Sequence, residues 1–153
     1  VSEGPMRTTP DRIRHAISFE LIGLLLVIPI GAWVFAMPMQ NIGVVSIVAA
    51  TVATGWNYVY NLLFDLTMQR FTGTTHKPAF VRVIHALLFE AGLLALLVPF
   101  IAWYLNIGLW DAFMMDVGFA VFYVVYAFLF NWAYDVVFPI PQAKGRVGHA
   151  SHS

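Results

Sequence analysis

A chain of 153 residues that is 60% apolar, 16% aromatic and only 10% charged cannot cover a water-exposed surface, for which about 25% charged residues is usual. Its surplus apolar side chains must face lipid. Zero net charge removes the basic patch that nucleic-acid binding needs, and the absence of cysteine removes disulfides, thiolate metal sites and cysteine nucleophiles.

Residues 1–11 carry no apolar periodicity and are expected to be disordered. The first apolar stretch, 17–35, contains Glu20 and lacks a small-residue cleavage site, so it reads as a membrane span and not as a cleaved signal. Further spans follow at 43–64, 84–105 and 117–134. Each is close to the roughly 18–25 residues that an α-helix needs to cross a hydrocarbon core. Turns at 36–42 and 106–112 are short, and the connection between spans two and three is longer and polar. The tail 139–153 is again expected to be disordered. The predicted fold is an all-α membrane protein of four transmembrane helices, arranged as two parallel-repeat helical hairpins. The first pair covers 12–68, a loop covers 69–81, and the second pair covers 82–138.

All eight Lys and Arg residues (Arg7, Arg12, Arg14, Arg70, Lys77, Arg82, Lys144, Arg146) lie on one side of these spans. The positive-inside rule then predicts both termini and the middle loop in the cytoplasm.

An offset of 70 residues lays Arg12, His15, Phe19, Glu20, Pro29 and Trp33 on Arg82, His85, Phe89, Glu90, Pro99 and Trp103, and Asn61 and Asp65 on Asn131 and Asp135. Polar matches in one register mark an internal duplication, of the kind found in transporters.

Glu20 lies six residues beyond Arg14, about 9 Å along a helix, and Glu90 holds the equivalent place. No Lys or Arg stands inside a span to neutralise them. A low-dielectric setting favours the neutral form of such a carboxyl, which suits proton exchange and competition with an organic cation. Asn57, Asn61 and Asp65 recur every four residues along span two; Asn57 and Asn61 are expected at a depth similar to that of Glu20, and Asp65 at the cytoplasmic helix end. Interhelical hydrogen bonding is the plainer reading for the two asparagines. Span four keeps Asn131 and Asp135 but has Ala127 where Asn57 would be. Asp65 and Asp135 are expected to pair with Arg12, Arg82 or another basic residue. Asp116 falls where the first half has Ser46; it reads equally as an exit-side relay or as a first-turn acid, with Asp111 as the helix N-cap.

Arg12 and His15, like Arg82 and His85, are expected to anchor the helices at the headgroups and to hold their cytoplasmic ends together. No Glu-x-x-His or His-Glu-x-x-His pattern occurs, so neither a metal nor another cofactor is expected, and neither is an enzyme. Pro29 and Pro99 predict kinks. Trp33, Trp103, Tyr104 and Trp110 suit an aromatic belt, while Trp56, Tyr60 and Tyr126 are candidate faces for an aromatic cation.

Four segments carry a resemblance: R12-I-R-H15-A-I-S-F19-E20, W56-N57-Y58-V59-Y60-N61-L62-L63-F64-D65, R82-V-I-H85-A-L-L-F89-E90 and Y126-A-F-L-F-N131-W132-A-Y134-D135. Together they resemble the signature motifs of the proteobacterial antimicrobial compound efflux (PACE) family, which carries tandem bacterial transmembrane pair domains. The resemblance implies an inner-membrane, proton-coupled exporter of cationic biocides such as chlorhexidine and dyes such as acriflavine, with short diamines exported by some relatives. It makes Glu20 the coupling carboxylate, and matches Asn57, Asn61, Asp65, Glu90, Asp116, Asn131 and Asp135 to other motif or embedded positions. Ala127 and Phe130 depart from the Thr and Tyr expected in the fourth motif.

The expected partners are protons, cationic small molecules and the bilayer. Four helices enclose little volume, which leaves room for a homodimer. The alternative function is a non-transporting assembly or sensor subunit whose carboxylates fix helix pairing.

Overall fold

The computed structural model describes residues 6–140, and the disorder expected for 1–5 and 141–153 falls outside them. The described residues form four helices: α1 (Thr9–Val34), α2 (Met39–Thr72), α3 (Ala79–Leu105) and α4 (Leu109–Val137). All four are long and apolar enough to cross a membrane.

Local chemistry sets the helix ends and shifts several predicted boundaries. The Thr8 hydroxyl accepts from the Asp11 N–H at 3.4 Å and Pro10 occupies the first turn, the arrangement that starts a helix. Residues 9–11 are therefore helical, not disordered. At its other end α2 runs to Thr72 and stops at Gly73, whose φ of 69° suits glycine. Because α3 begins directly after Pro78, the loop expected over 69–81 narrows to 73–78. Gly108, not Asp111, holds the N-cap of α4; Asp111 sits in the first turn. Both α1 and α3 continue through their internal prolines.

The duplication is visible in the backbone. Ala36 and Asn106, 70 residues apart, adopt φ of 52° and 53°. At each the chain closes the same turn, with Met37 N–H donating to the Ala32 carbonyl and Ile107 N–H to that of Ala102, both at 3.1 Å.

The helices form a ring in which α1 touches α2 and α4, and α3 touches α2 and α4. One end of the ring carries the α1–α2 and α3–α4 turns; the other carries the two termini and the 73–78 loop. The tightly buried core lies entirely towards the turn end: Val27, Ile42, Val45, Leu97, Ile101, Ala112, Met115 and Phe119. A Cβ on Gly31 would meet the Ile42 side chain at 2.9 Å, so glycine is what lets α1 and α2 approach there. Outside the ring, Leu25, Leu87, Val124 and Phe128 are exposed, as lipid-facing residues should be. Trp33, Trp103 and Trp110 are exposed at the turn end, where an aromatic belt belongs.

Candidate functional site

Towards the terminal end the helices are joined differently. There the buried tyrosines Tyr60, Tyr126 and Tyr134 fasten α2 to α3 and α4 to α1, across the two sequence hairpins. In the α2–α3 seam, Trp56 Nε1 donates to the Phe89 carbonyl at 3.0 Å and the Tyr60 hydroxyl to the His85 carbonyl at 2.7 Å. In the α4–α1 seam, the Tyr126 hydroxyl donates to the Phe19 carbonyl at 2.8 Å. Trp56 and Tyr126 are 70 apart, as are Phe89 and Phe19, so one bond is made twice by different side chains. The ring of each fits beside a glycine, Trp56 against Gly92 and Tyr126 against Gly23.

The seams end in ion pairs that repeat as well. Lys77 pairs with Asp65 at 2.6 Å, and Arg7, at the position equivalent to Lys77, pairs with Asp135. Arg7 also reaches Asp11 at 2.7 Å and donates to the Phe138 carbonyl at 2.9 Å. The hydrogen bond that Arg7 donates to Asp11 first, and then the pairing with Asp135, push the guanidinium above its ordinary value. Arg14 holds Asp11 at 2.5 Å and donates to the Tyr134 hydroxyl at 3.0 Å, while that hydroxyl donates to Asp11 Oδ1 at 2.8 Å. Asp65 and Asp135 are thus paired with basic residues at the helix ends, as expected. Their partners are Lys77 and Arg7, however, and not Arg12 or Arg82. Extending the 70-residue register back to Arg7 and Lys77 is the signal that would have found them.

Glu20 stands seven residues before Val27, and Glu90 seven before Leu97. Seven residues turn a helix by about 700°, within roughly 20° of the same direction. Both carboxylates therefore share the inward face with the last closed core residues, yet both are exposed. The bundle closed at Val27 and Leu97 is open at the glutamates. Among the described residues neither glutamate forms an ion pair. Glu20 lies within electrostatic reach of Tyr123 and Tyr126, and Glu90 within reach of the half-buried Asp116. Ser46, the counterpart of Asp116, is buried with its hydroxyl lacking a partner.

The asparagines of α2 meet Glu90, not Glu20. Asn57, Asn61, His85, Ala86, Phe89 and Glu90 line an open cavity of about 260 Å³. Asn61 Nδ2 donates to the Asn57 carbonyl at 2.7 Å and to Asn57 Oδ1 at 2.9 Å, which occupies both of its amide hydrogens. On α4, Asn131 Oδ1 instead meets His15 Nε2 at 2.8 Å. Both histidines thus belong to the seams, where they join neighbouring helices towards the terminal end. The three candidate aromatics Trp56, Tyr60 and Tyr126 spend their polar hydrogens on backbone carbonyls, as seam staples.

Gly92 gives one expected result. A Cβ there would come within 2.2 Å of the Trp56 ring. Overpacking costs about 1–3 kcal/mol, more than the roughly 1 kcal/mol of helix propensity that alanine gains over glycine. Gly92→Ala should therefore lower thermal stability and red-shift the Trp56 emission as its bond to Phe89 breaks. An unshifted spectrum with raised stability would show that the seam tolerates a methyl group.

The chlorhexidine efflux transporter (BTP) family model matches twice, over residues 7–70 and 77–140. The chain belongs to this family. It is a multi-pass membrane protein of the efflux transporter family that sequence resemblance named as PACE. The chain is also 37% identical over 137 residues to a short-chain diamines transporter of Vibrio parahaemolyticus, covering 90% of this chain and 96% of the relative. It is 36% identical over 146 residues to one of Acinetobacter baumannii, with 94% and 100% covered. A third, from Acinetobacter baylyi, is 31% identical over 132 residues, with 86% and 92% covered. No solved structure matches the chain. The two family matches begin at Arg7 and Lys77, the residues that close the two seams.

Proposed function

We propose that the protein is a proton-coupled antiporter that exports organic cations, with Glu20 as the coupling carboxylate. The observation that carries this reading is the pair of unpaired glutamates facing an interior that is closed towards the turn end and open towards the terminal end. A carboxylate facing such a cleft binds either a proton or a cation, and competition between the two is sufficient for exchange when access alternates. Membership of the efflux family supports export as the direction and chlorhexidine-like cations as candidate cargo; acriflavine-like dyes are added by the motif resemblance alone. The relatives' names add short diamines.

Transport of labelled 1,4-diaminobutane and of acriflavine in proteoliposomes under an imposed pH gradient tests this. Uptake that follows the gradient and collapses with a protonophore is the expected result. Cation movement indifferent to the gradient would exclude proton coupling, and no movement at all would favour an assembly or sensor role.

On the same reading the terminal end is cytoplasmic and the membrane is the bacterial inner membrane. Support comes from the eight-to-none distribution of Lys and Arg. A single cysteine at Thr74, in the 73–78 loop, is expected to be labelled only from the cytoplasmic side. Replacing Arg70, Lys77 and Arg82 together should disturb that topology more than it lowers transport by the correctly inserted fraction. Labelling of Thr74→Cys from outside in the native background would reverse the orientation.

A further inference from the structure

At the terminal end the two seams are closed by different means. The 73–78 loop ties α2 to α3, whereas α4 is the last helix and α1 the first, so no loop ties them. In its place stands a polar cluster. Arg7 holds Asp11, Asp135 and the Phe138 carbonyl, Arg14 holds Asp11 and the Tyr134 hydroxyl, and that hydroxyl donates to Asp11. The Arg14 guanidinium also lies 3.7 Å from the centre of the Phe138 ring. In the other seam Val81, Ile84 and Phe64 stand at the positions of Asp11, Arg14 and Tyr134. Only the Arg7–Asp135 pair has a charged counterpart there, Lys77–Asp65. Behind these closures both seams pack similar rings: Tyr60, Phe64 and His85 in one, Phe130, Tyr134 and His15 in the other. The extra polar groups therefore stand only where the chain leaves the ring open.

We propose that this cluster is a releasable clasp: when it opens, α4 parts from α1 at the terminal end, while α2 and α3 stay together as the hinge. The Arg7 and Asp11 side chains are only 15% and 17% exposed, which makes the network stronger than isolated surface pairs. Arg14 and Asp135 keep 50% and 63% exposure, so its outer members can exchange their partners for water. The buried core, to which all four helices contribute, lies at the turn end and supplies the pivot. Asp11 stands nine residues before Glu20, about 13 Å along α1. Release therefore moves the helix that carries Glu20 against Tyr123 and Tyr126 of α4. The clasp rests on the antiport reading, in which access must alternate, and deepens it by naming the seam that moves.

The test uses matched label pairs, since the chain has no cysteine and Ile13, Leu66, Val83 and Val136 are all exposed. Ile13→Cys with Val136→Cys reports on α4–α1, and the repeat-equivalent Leu66→Cys with Val83→Cys reports on α2–α3. Spin-label distances are measured on the full chain in lipid nanodiscs. Tyr134→Phe, which installs the residue of the other seam, removes a hydrogen bond to a charged group. It should raise the parted-to-closed ratio of the first pair by about tenfold or more, and leave the second pair unchanged. Asp11→Asn should act in the same direction while keeping the Tyr134 ring in place. In cation counterflow without a pH gradient, a bismaleimide cross-link of the first pair should slow exchange by about tenfold or more, and of the second by less than about twofold. Distances unchanged in both variants, or changed equally in the two seams, would overturn the clasp, as would equal losses from the two cross-links. Because the distances require no transport, a protein that parts at α4–α1 yet moves no cation supports the clasp and counts against antiport alone.

Discussion

Glu20→Gln is expected to abolish proton-driven cation transport, whereas Glu90→Gln should leave a weakened form of it. The two residues are equivalent in the repeat but not in their surroundings. Glu20 has Phe19, Tyr123 and Tyr126 about it, and Ala127 where the other half has an asparagine. The other polar groups of that seam, His15 and Asn131, are already bonded to each other at 2.8 Å. Glu90 shares its cavity with Asn57, Asn61 and His85, which still offer acceptors after its charge is gone. Losing one charged hydrogen-bond partner corresponds to about 10–100-fold in affinity, so Glu90→Gln should raise the cation concentration needed for transport by that range. Initial rates in proteoliposomes at matched protein content measure both. Equal losses would show that the divergence between the halves has no functional weight.

The second large effect concerns pH. Only the deprotonated form of the coupling carboxylate attracts a cation, so apparent affinity should rise with pH and level off once that group is fully ionised. For a single coupled proton the slope is limited to about tenfold per pH unit. The titratable groups facing Glu20 are Tyr123 and Tyr126 of α4, with Glu90 of α3 and Asp116 of α4 sharing the interior. Glu20→Gln should flatten the profile, because a neutral amide resembles the protonated acid at every pH. Titration of acriflavine binding between acid and mildly alkaline pH, followed by tryptophan emission, checks this. A variant that keeps the wild-type profile would assign the coupled proton to Glu90 or Asp116.

The four spans, the duplication and the inward glutamates were legible because each rests on composition or on a register within one helix. Depth was legible too: Asn57 and Asn61 do lie level with a glutamate of an antiparallel neighbour. Which neighbour was not. α2 lies beside both α1 and α3 at that depth, and the choice depends on how the ring closes, which no local pattern encodes. Trp56 beside Gly92 and the Tyr60 bond to His85 turn that face of α2 towards α3. Helix ends were misjudged for a different reason. Amphipathic last turns such as 65–72, with Asp65 and Arg70, read as polar loop, although helical backbone continues well beyond the apolar stretch. That Asp65 and Asp135 meet basic residues was legible; that these are Lys77 and Arg7 depends on how the segments just before α3 and α1 fold back on the helix ends.

The exchange of partners along the ring bears on ancestry. Each hairpin is held together at its turn, but the two seams lie between hairpins, α2 of one against α3 of the other and α4 against α1, with the Glu90 cavity at the first. A hairpin alone therefore contains neither seam. Two identical copies would close the same ring as an isologous dimer with two identical clefts, and every substitution in such a dimer would appear twice. Joining the copies through 73–78 lifts that constraint. Asn57 and Ala127, Tyr60 and Phe130, Ser46 and Asp116 are the products of this freedom, one position of each pair changing while the other keeps the ring closed.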